Sequence, residues 1–339
     1  MIEIDGSKGE GGGAILRVAC ALSAVTQKPC HIFNIRKNRP KSGLATQHLL
    51  GIQALAQLCN GKLEGDYLGS EEIKFYPGEF SVKELKIKIE TAGSITLCLQ
   101  SLLPVALFAP NPIKIFFEGG GTDVPYSPTI DHFRYVFLKI LERMGPRVEI
   151  NILKRGYYPL GGARVEVRIF PGKLRPLNLI ERGKFKKISI FSVASEFLKE
   201  KKVAERQLRG AKEILAKLKL PIETQTEYVK TDSVGSSICM ISEFEQTTLG
   251  SDALGKLGKP AEEIGRECAL QLLKEEKTNA CLDRFLTDQI LIYLTLTNKR
   301  SQVKVSELTS HTKTNLWLIP QFLKGVFEIK ENLITWIPE

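Results

Sequence analysis

Three segments of the chain read as helices that are apolar around almost their whole circumference: "GGAILRVACALSAVT" (12–26), "GSITLCLQSLLPVALFA" (93–109) and "RFLTDQILIYLTLT" (284–297). A helix with no polar face must be enclosed by other elements, so these three sit in an interior. Each is followed by a strand-like piece, "PCHIFNI", "PIKIFFEG" and "SQVKVSEL". After a loop comes an amphipathic helix running to a glycine: "TQHLLGIQALAQLCNG", "IDHFRYVFLKILERMG" and "HTKTNLWLIPQFLKG". Further strands follow as "KLEG", "RVEINIL" and "VFEIKEN". Self-similarity of this kind marks a repeated supersecondary unit. The chain therefore reads as three copies of one helix–strand–helix–strand unit with extra β segments, an α/β (α+β) class in which helices cover sheets.

The third copy arrives late. Residues 181–280 lie outside the repeat and have their own elements: a strand "KKISIFSVA", a helix "VAERQLRGAKEILAKLKL", the strands "ETQTEYVK" and "SSICMISEFEQTT", and a helix "PAEEIGRECALQLLKEEK" with Pro260 at its first position. This predicts a smaller α/β subdomain inserted at 181–280, with 1–180 carrying repeats 1 and 2 and 281–339 carrying repeat 3.

The +10 net charge is unevenly spread. Between Glu10 and Glu64 there is no acidic residue, yet Arg17, Lys28, Arg36, Lys37, Arg39, Lys41 and Lys62 fall there. Cations without counter-charges attract phosphate-rich partners. The seven cysteines form no C-x-x-C pair and several lie inside apolar patterns, as buried thiols in a reducing cytosol do. A cytoplasmic protein is expected. No apolar run is long enough for a membrane span.

Polar residues on wholly apolar helices need a partner or a task. Arg17 stands alone in the first, Gln100 in the second, and Asp288-Gln289 form a pair in the third. Two readings are open: an Arg17–Asp288 ion pair tying repeats together, or three groups facing one cleft that holds a polar ligand. The second helices open with Gln47-His48, Asp131-His132 and His311, which places three of the four histidines at corresponding repeat positions beside N-termini that favour phosphate. His31, inside a strand, reads as a satisfied structural residue. His311 lies among hydroxyls and Asn315, where a neutral imidazole can serve as base or nucleophile. Glu10, the carboxylate of the glycine-rich stretch "DGSKGEGGGAILR", suits a Mg²⁺-type ion or is an exposed loop residue. The same stretch satisfies G-x-G-x-x-G/A. A dinucleotide site, however, needs an acid about 20 residues on, and the region "CHIFNIRKNRP" has none; the G-K-[ST] of a P-loop is also missing.

The motifs "DGSKGEGGGAILR", "IRKNRPKSGLATQH", "TAGSITLCLQSLLPVA", "GGGTDVPYSPTIDHF", "RGYYPLGG", "VAERQ", "FLTDQ" and "SHTKTN" stand in the order found in RNA 3′-terminal phosphate cyclases, which the chain resembles over essentially its whole length. That resemblance implies three repeated βα units, related to enolpyruvyl transferases, with a smaller inserted α/β subdomain. It implies an enzyme that adenylylates a histidine with ATP, passes AMP to an RNA 3′-phosphate, and closes a 2′,3′-cyclic phosphate. By motif, His311 is then the nucleophile and Glu10 the carboxylate for Mg²⁺ or Mn²⁺. Gln100 and Phe285, Leu286, Thr287, Asp288 and Gln289 contact ATP. Arg17, Arg36, Arg39 and Gln47 surround the phosphates of ATP and of the RNA end. Lys8, Phe285 and Ser310 stand where the family often has Gln, Tyr and Cys, and none of these removes the chemistry. The alternative within the family is a catalytically inactive RNA-binding ribosome-assembly factor, which lacks the nucleophilic histidine; an enolpyruvyl-transferase-like enzyme would need neither histidine nor RNA.

Overall fold

The computed structural model describes all residues except Glu10, Gly11, Ser81 and Lys219, and all their side chains except that of Lys217. Repeat 1 comprises β1 (Ile2–Asp5), α1 (Gly13–Thr26), β2 (Cys30–Phe33), α2 (Thr46–Leu58), β3 (Lys62–Glu64) and β4 (Ile73–Tyr76). Repeat 2 comprises β5 (Glu84–Ser94), α3 (Ile95–Ala106), β6 (Ile113–Gly121), α4 (Ile130–His132) continuing through a π-helical turn (Phe133–Phe137) into α5 (Leu138–Arg143), then β7 (Arg147–Lys154) and β8 (Arg164–Phe170). β9 (Asn178–Leu179) opens repeat 3. The chain then leaves for β10 (Phe185–Ser195), α6 (Val203–Leu215), β11 (Ile222–Val229), β12 (Ser236–Phe244), β13 (Thr248–Leu254) and α7 (Ala261–Lys277). It returns as α8 (Arg284–Leu296), β14 (Ser301–Lys304), α9 (Ser310–Leu318), β15 (Gly325–Lys330) and β16 (Leu333–Pro338).

The sheets give the repeat its form. Their strand orders are β1-β2-β4-β3, β5-β6-β8-β7 and β9-β14-β16-β15. In each, the first two strands are parallel and the others antiparallel. The unit is thus β-α-β-α-β-β. It has one strand more at its start than the helix–strand–helix–strand reading: β1, where "MIEIDG" reads as a strand start, β5 and β9 each precede a first helix. The remaining sheet has the order β11-β10-β12-β13 and packs its own hydrophobic cluster against α6 and α7, including Ile188, Met240, Ala211 and Leu272. "SSICMISEFEQTT" runs past its strand: β12 ends at Phe244, and β13, starting at Thr248, pairs back onto it.

Local chemistry sets these elements. From Glu84 to Glu90 charged residues alternate with buried Leu85, Ile87 and Ile89, as one covered face demands. Ser94 caps α3 by accepting a bond from Leu97 N at 3.2 Å, so Gly93 and Ser94 end the strand rather than begin the helix. Pro260 is the N-cap of α7 and not its first helical residue, with ψ of 138°. Pro320 has no N–H to give, and α9 stops at Leu318 before a 3₁₀ turn, Ile319–Gln321. No described helix is long and apolar enough to cross a membrane, and all seven cysteines are buried and free.

Candidate functional site

The helices of the three repeats begin at one end of the molecule, and a chain of contacts shows it. A methyl carbon on Gly13, at the start of α1, would lie 2.1 Å from His48 Nε2 near the start of α2. One on Gly93, just before α3, would lie 3.9 Å from Gln47 Cβ. Thr96 Oγ1 of α3 donates to Pro128 O, two residues ahead of α4, at 2.9 Å. His132 Nε2 of α4 lies 4.0 Å from Asp283 Oδ2, the N-cap of α8. Asn315 Nδ2 of α9 donates to Asp288 O of α8 at 2.9 Å. A methyl carbon on Gly9, ahead of α1, would lie 2.3 Å from Thr314 Oγ1 of α9. The ring closes. Free N–H groups and positive dipole ends therefore gather at this end, which favours anions before any side chain is counted.

Repeat 1 adds cations there. Asp5 Oδ1 accepts from Ser7 N at 3.0 Å, Ser7 Oγ at 2.8 Å and Asn34 Nδ2 at 3.2 Å, which pins the glycine-rich turn to the loop after β2. Asn38 Nδ2 donates to Ser7 O at 3.1 Å. Arg36 takes a left-handed backbone (φ 55°) and its Nη1 donates to Gly43 O at 2.9 Å, folding the basic loop back on itself. Lys8 lies over the Trp317 ring of α9, 5.1 Å from its centroid. Glu10, expected to hold the metal, lies outside the described residues.

His311 lies half-buried on the first turn of α9. Burial, together with Arg17 and Arg39, holds its imidazole below the usual histidine range. It is thus a neutral nucleophile-type nitrogen in a cationic setting. On α8, burial raises the Asp288 carboxyl to about 7, with Arg17 opposing the rise; Arg17 is itself pulled down to about 10 by burial, with Asp288 opposing. Yet among the described residues no carboxylate oxygen lies within 4 Å of Arg17, so of the two open readings the Arg17–Asp288 ion pair is not formed as a contact. The two groups feel each other across a gap. His48, buried against Gly13, is driven down to about 3 by burial, Arg17 and Arg36. It is a neutral packing residue.

The helix caps correct the histidine register. Thr309 accepts from Thr312 N and Thr129 from His132 N, and Ala45 is the cap of α2. Two residues past the cap stand Gln47, Asp131 and His311; three past it stand His48, His132 and Thr312. His311 therefore corresponds to Gln47 and Asp131, and His48 and His132 occupy a position turned about 100° away. In repeat 2 this position is closed. Arg155 Nη2 lies 2.9 and 2.8 Å from the two Asp131 oxygens, and its Nη1 3.2 Å from Asp123 Oδ2, all buried. Sequence reading missed this cluster, although an Arg and two Asp within apolar surroundings were its signal.

Other predicted residues divide. Gln47 and Arg39 are exposed. Gln100 is half-buried on α3, which packs against α1, α2 and α8. Phe285 is 47% exposed, with the Arg284 guanidinium 4.7 Å from its ring centroid, and so offers a face for stacking. Leu286 and Thr287 are fully buried, and Thr287 Oγ1 donates to Asp283 O at 2.8 Å; a ligand would meet only their main chain. Gln289 Nε2 donates to Phe285 O at 2.9 Å, and its Oε1 and Asn315 Oδ1 are buried without a hydrogen-bond donor. His31 is held between Glu3 and Glu72 at 2.8 and 2.9 Å, a structural role as expected.

Fold and site together define a three-repeat α/β protein whose helix N-termini and glycine-rich turn gather at one end, with His311 on the first turn of α9. The family model for RNA 3′-terminal phosphate cyclase matches residues 8–329. Proteins named RNA 3′-terminal phosphate cyclase from Pyrococcus furiosus and Pyrococcus abyssi are 46% and 45% identical to it, each alignment covering 97% of this chain and 95% of the relative. One from Sulfurisphaera tokodaii is 43% identical over 97% of this chain and 96% of its own. The chain belongs to the RNA 3′-terminal phosphate cyclase family.

Proposed function

We propose that the protein converts an RNA 3′-phosphate into a 2′,3′-cyclic phosphodiester with ATP, through a covalent His311–AMP and an RNA-adenylate. The observation that carries this is the setting of His311: neutral by burial, within the field of Arg17 and Arg39, at the end where helix N-termini gather. A 3′-phosphate cannot expel oxide when its 2′-hydroxyl attacks; it needs a better leaving group. An imidazole nitrogen of His311 attacks the α-phosphorus of ATP, and pyrophosphate leaves with the electron pair of the broken P–O bond. An oxygen of the RNA 3′-phosphate then attacks the same phosphorus, and the P–N electrons return to the imidazole. The 2′-hydroxyl, giving up its proton, attacks the RNA phosphorus, and AMP departs. Splitting one hard displacement into three easier ones is the gain of covalent catalysis.

Arg17, Arg36, Arg39 and Gln47 are proposed to hold the phosphates and spread the charge that builds on the transferred group. Gln100, Asp288 and Gln289 are proposed to fix the nucleotide, with Phe285 stacking on adenine. Among the described residues no group of three or more His, Cys, Asp or Glu side chains converges to hold a metal. An accompanying Mg²⁺ or Mn²⁺ would thus take most ligands from phosphate and water, with Glu10 the proposed carboxylate; it would supply charge neutralisation on the phosphates. The division of the chain at 1–180, 181–280 and 281–339 is proposed with this, supported by the separate hydrophobic cluster around α6 and α7. A reducing cytosol is the proposed setting for the seven free thiols. Incubation with α-labelled ATP and Mg²⁺ is expected to leave acid-labile, alkali-stable AMP on the protein and none on His311→Ala. Labelling of His311→Ala at the parent's rate would refute the assignment.

A further inference from the structure

A cleft of about 580 Å³ runs between the outer strands of repeat 2 and the end of β11. Its lining includes Arg134, Lys154, Arg155, Arg164 and Lys230 against one carboxylate, Glu227. Arg155 is spent on Asp123 and Asp131, and Lys154 on Asp232 at 2.6 Å. Arg134, Arg164 and Lys230 have no carboxylate within 4 Å among the described residues, so the cleft keeps uncompensated positive charge. None of these residues belongs to the nucleotide chemistry above.

Part of the cleft wall lies toward the end where the helices begin. β8 runs antiparallel to β6, with Arg164 opposite Glu118 near the end of β6, and the loop after β6 leads directly into α4. The loop joining β7 to β8 has both its ends in the cleft wall, at Arg155 and Arg164, and it carries Tyr158 and Leu160 exposed at 67% and 62%. Leu160 N donates to Ser233 Oγ at 3.0 Å, which seats this loop three residues beyond Lys230. Cations along a groove, with an exposed ring and aliphatic side chain on the loop that leaves its wall, are the pairing that single-stranded nucleic acid takes, phosphates on the charges and bases on the apolar faces.

We infer that this cleft binds the RNA strand upstream of the reacting 3′ end, holding the backbone of several nucleotides between repeat 2 and β11. The inference rests on the proposed RNA substrate, but its test does not depend on chemistry. Binding of 5′-fluorescent RNAs of three and twelve nucleotides, both ending in a 3′-phosphate, is measured by anisotropy without ATP over a salt series. The parent is expected to bind the longer RNA at least tenfold more tightly. Arg164→Gln/Lys230→Gln, both exposed positions, is expected to lose most of that advantage and to flatten the salt slope by about 1.4, some 0.7 for each phosphate contact on a single strand. The trimer's affinity and AMP labelling of His311 are expected to stay as in the parent, which shows the variant folded. Equal binding of the two lengths by the parent, or an undiminished advantage in the variant, overturns the inference. A parent that binds RNA in this way but never acquires AMP would instead sink the proposed chemistry and leave the cleft standing.

Discussion

Replacing Arg155 by Met removes a cation and keeps most of its stem. Arg155 makes three charged contacts, at 2.8, 2.9 and 3.2 Å, to two carboxylates that are 3% and 1% exposed. Removing one partner of a buried ion cluster costs about 3–5 kcal/mol, since the remaining charge is stranded. There is also a ceiling. A stranded carboxylate of ordinary value near 3.9 can take a proton at pH 7 for about 4 kcal/mol, at 1.36 kcal/mol per unit, so each lost interaction is bounded by that escape. The sign of the pH dependence follows. Burial already raises the Asp123 carboxyl above its ordinary value with Arg155 in place, and loss of the guanidinium raises it further. The folded variant then binds a proton that the unfolded chain does not, so its stability rises as pH falls through the raised value. Urea unfolding followed by far-UV circular dichroism, at pH 7 and pH 5, is expected to show a deficit of about 3–5 kcal/mol that shrinks toward pH 5. Adding Asp131→Asn and Asp123→Asn should recover part of it. A deficit below about 1 kcal/mol at pH 7, the worth of a surface pair, or one that grows on acidification, would refute the description of this cluster as a sealed, mutually dependent set.

Two further outcomes follow from the same geometry. His311 is held below the usual imidazole range by burial, Arg17 and Arg39, so AMP labelling should stay fast below pH 6.5 and fail only at lower pH; Arg39→Gln removes one of the cations and should move that acid limb to higher pH, and a limb that stays put or moves lower would contradict it. Gly13→Ala would ordinarily favour a helix start, but its new methyl lies 2.1 Å from buried His48 Nε2, and overpacking of this kind costs about 1–3 kcal/mol; the thermal midpoint should fall in Gly13→Ala and recover in Gly13→Ala/His48→Ala, whereas a rise in the single variant would mean the imidazole moves freely.

What the sequence disclosed tracks how far each signal reaches. The wholly apolar α1, α3 and α8 announced a threefold repeat because enclosure of such helices leaves a mark on every residue. The opening strand of repeat 3 was invisible. β9 is two residues long and pairs with β14 across more than a hundred residues, a link no local pattern carries. Corresponding histidines were misjudged by one position because a cap decides the register, and in α2 the cap is Ala45, which no side-chain signal marks. At the site, His311, Arg17 and Asp288 were legible as polar groups on unlikely surfaces. Their mutual gap was not, since whether two charges meet or merely face each other depends on the packing of α9 against both α1 and α8. Leu286 and Thr287 came in with their motif and not on their own chemistry; inside α8 they point into the core.

The position two residues past each cap shows how one unit was put to three uses. Repeat symmetry presents Gln47, Asp131 and His311 in matching places, each two residues past its helix cap. Gln47 neighbours Gly93, just before α3, and its side chain stays exposed. His311 is half-buried on the first turn of α9, the helix whose Thr314 meets the glycine-rich turn at Gly9. At Asp131 the inserted sheet sits close by, Thr129 N donating to Asp252 Oδ2 at 2.7 Å, and a carboxylate there could not survive without a counter-charge. Arg155 supplies it. An exposed acid at an end that attracts anions would repel the phosphate that the helix starts draw in; in repeat 2 the acid is neutralised by Arg155 and buried. Of the two remaining positions, only His311 carries an imidazole nitrogen, the one proposed above to attack phosphorus.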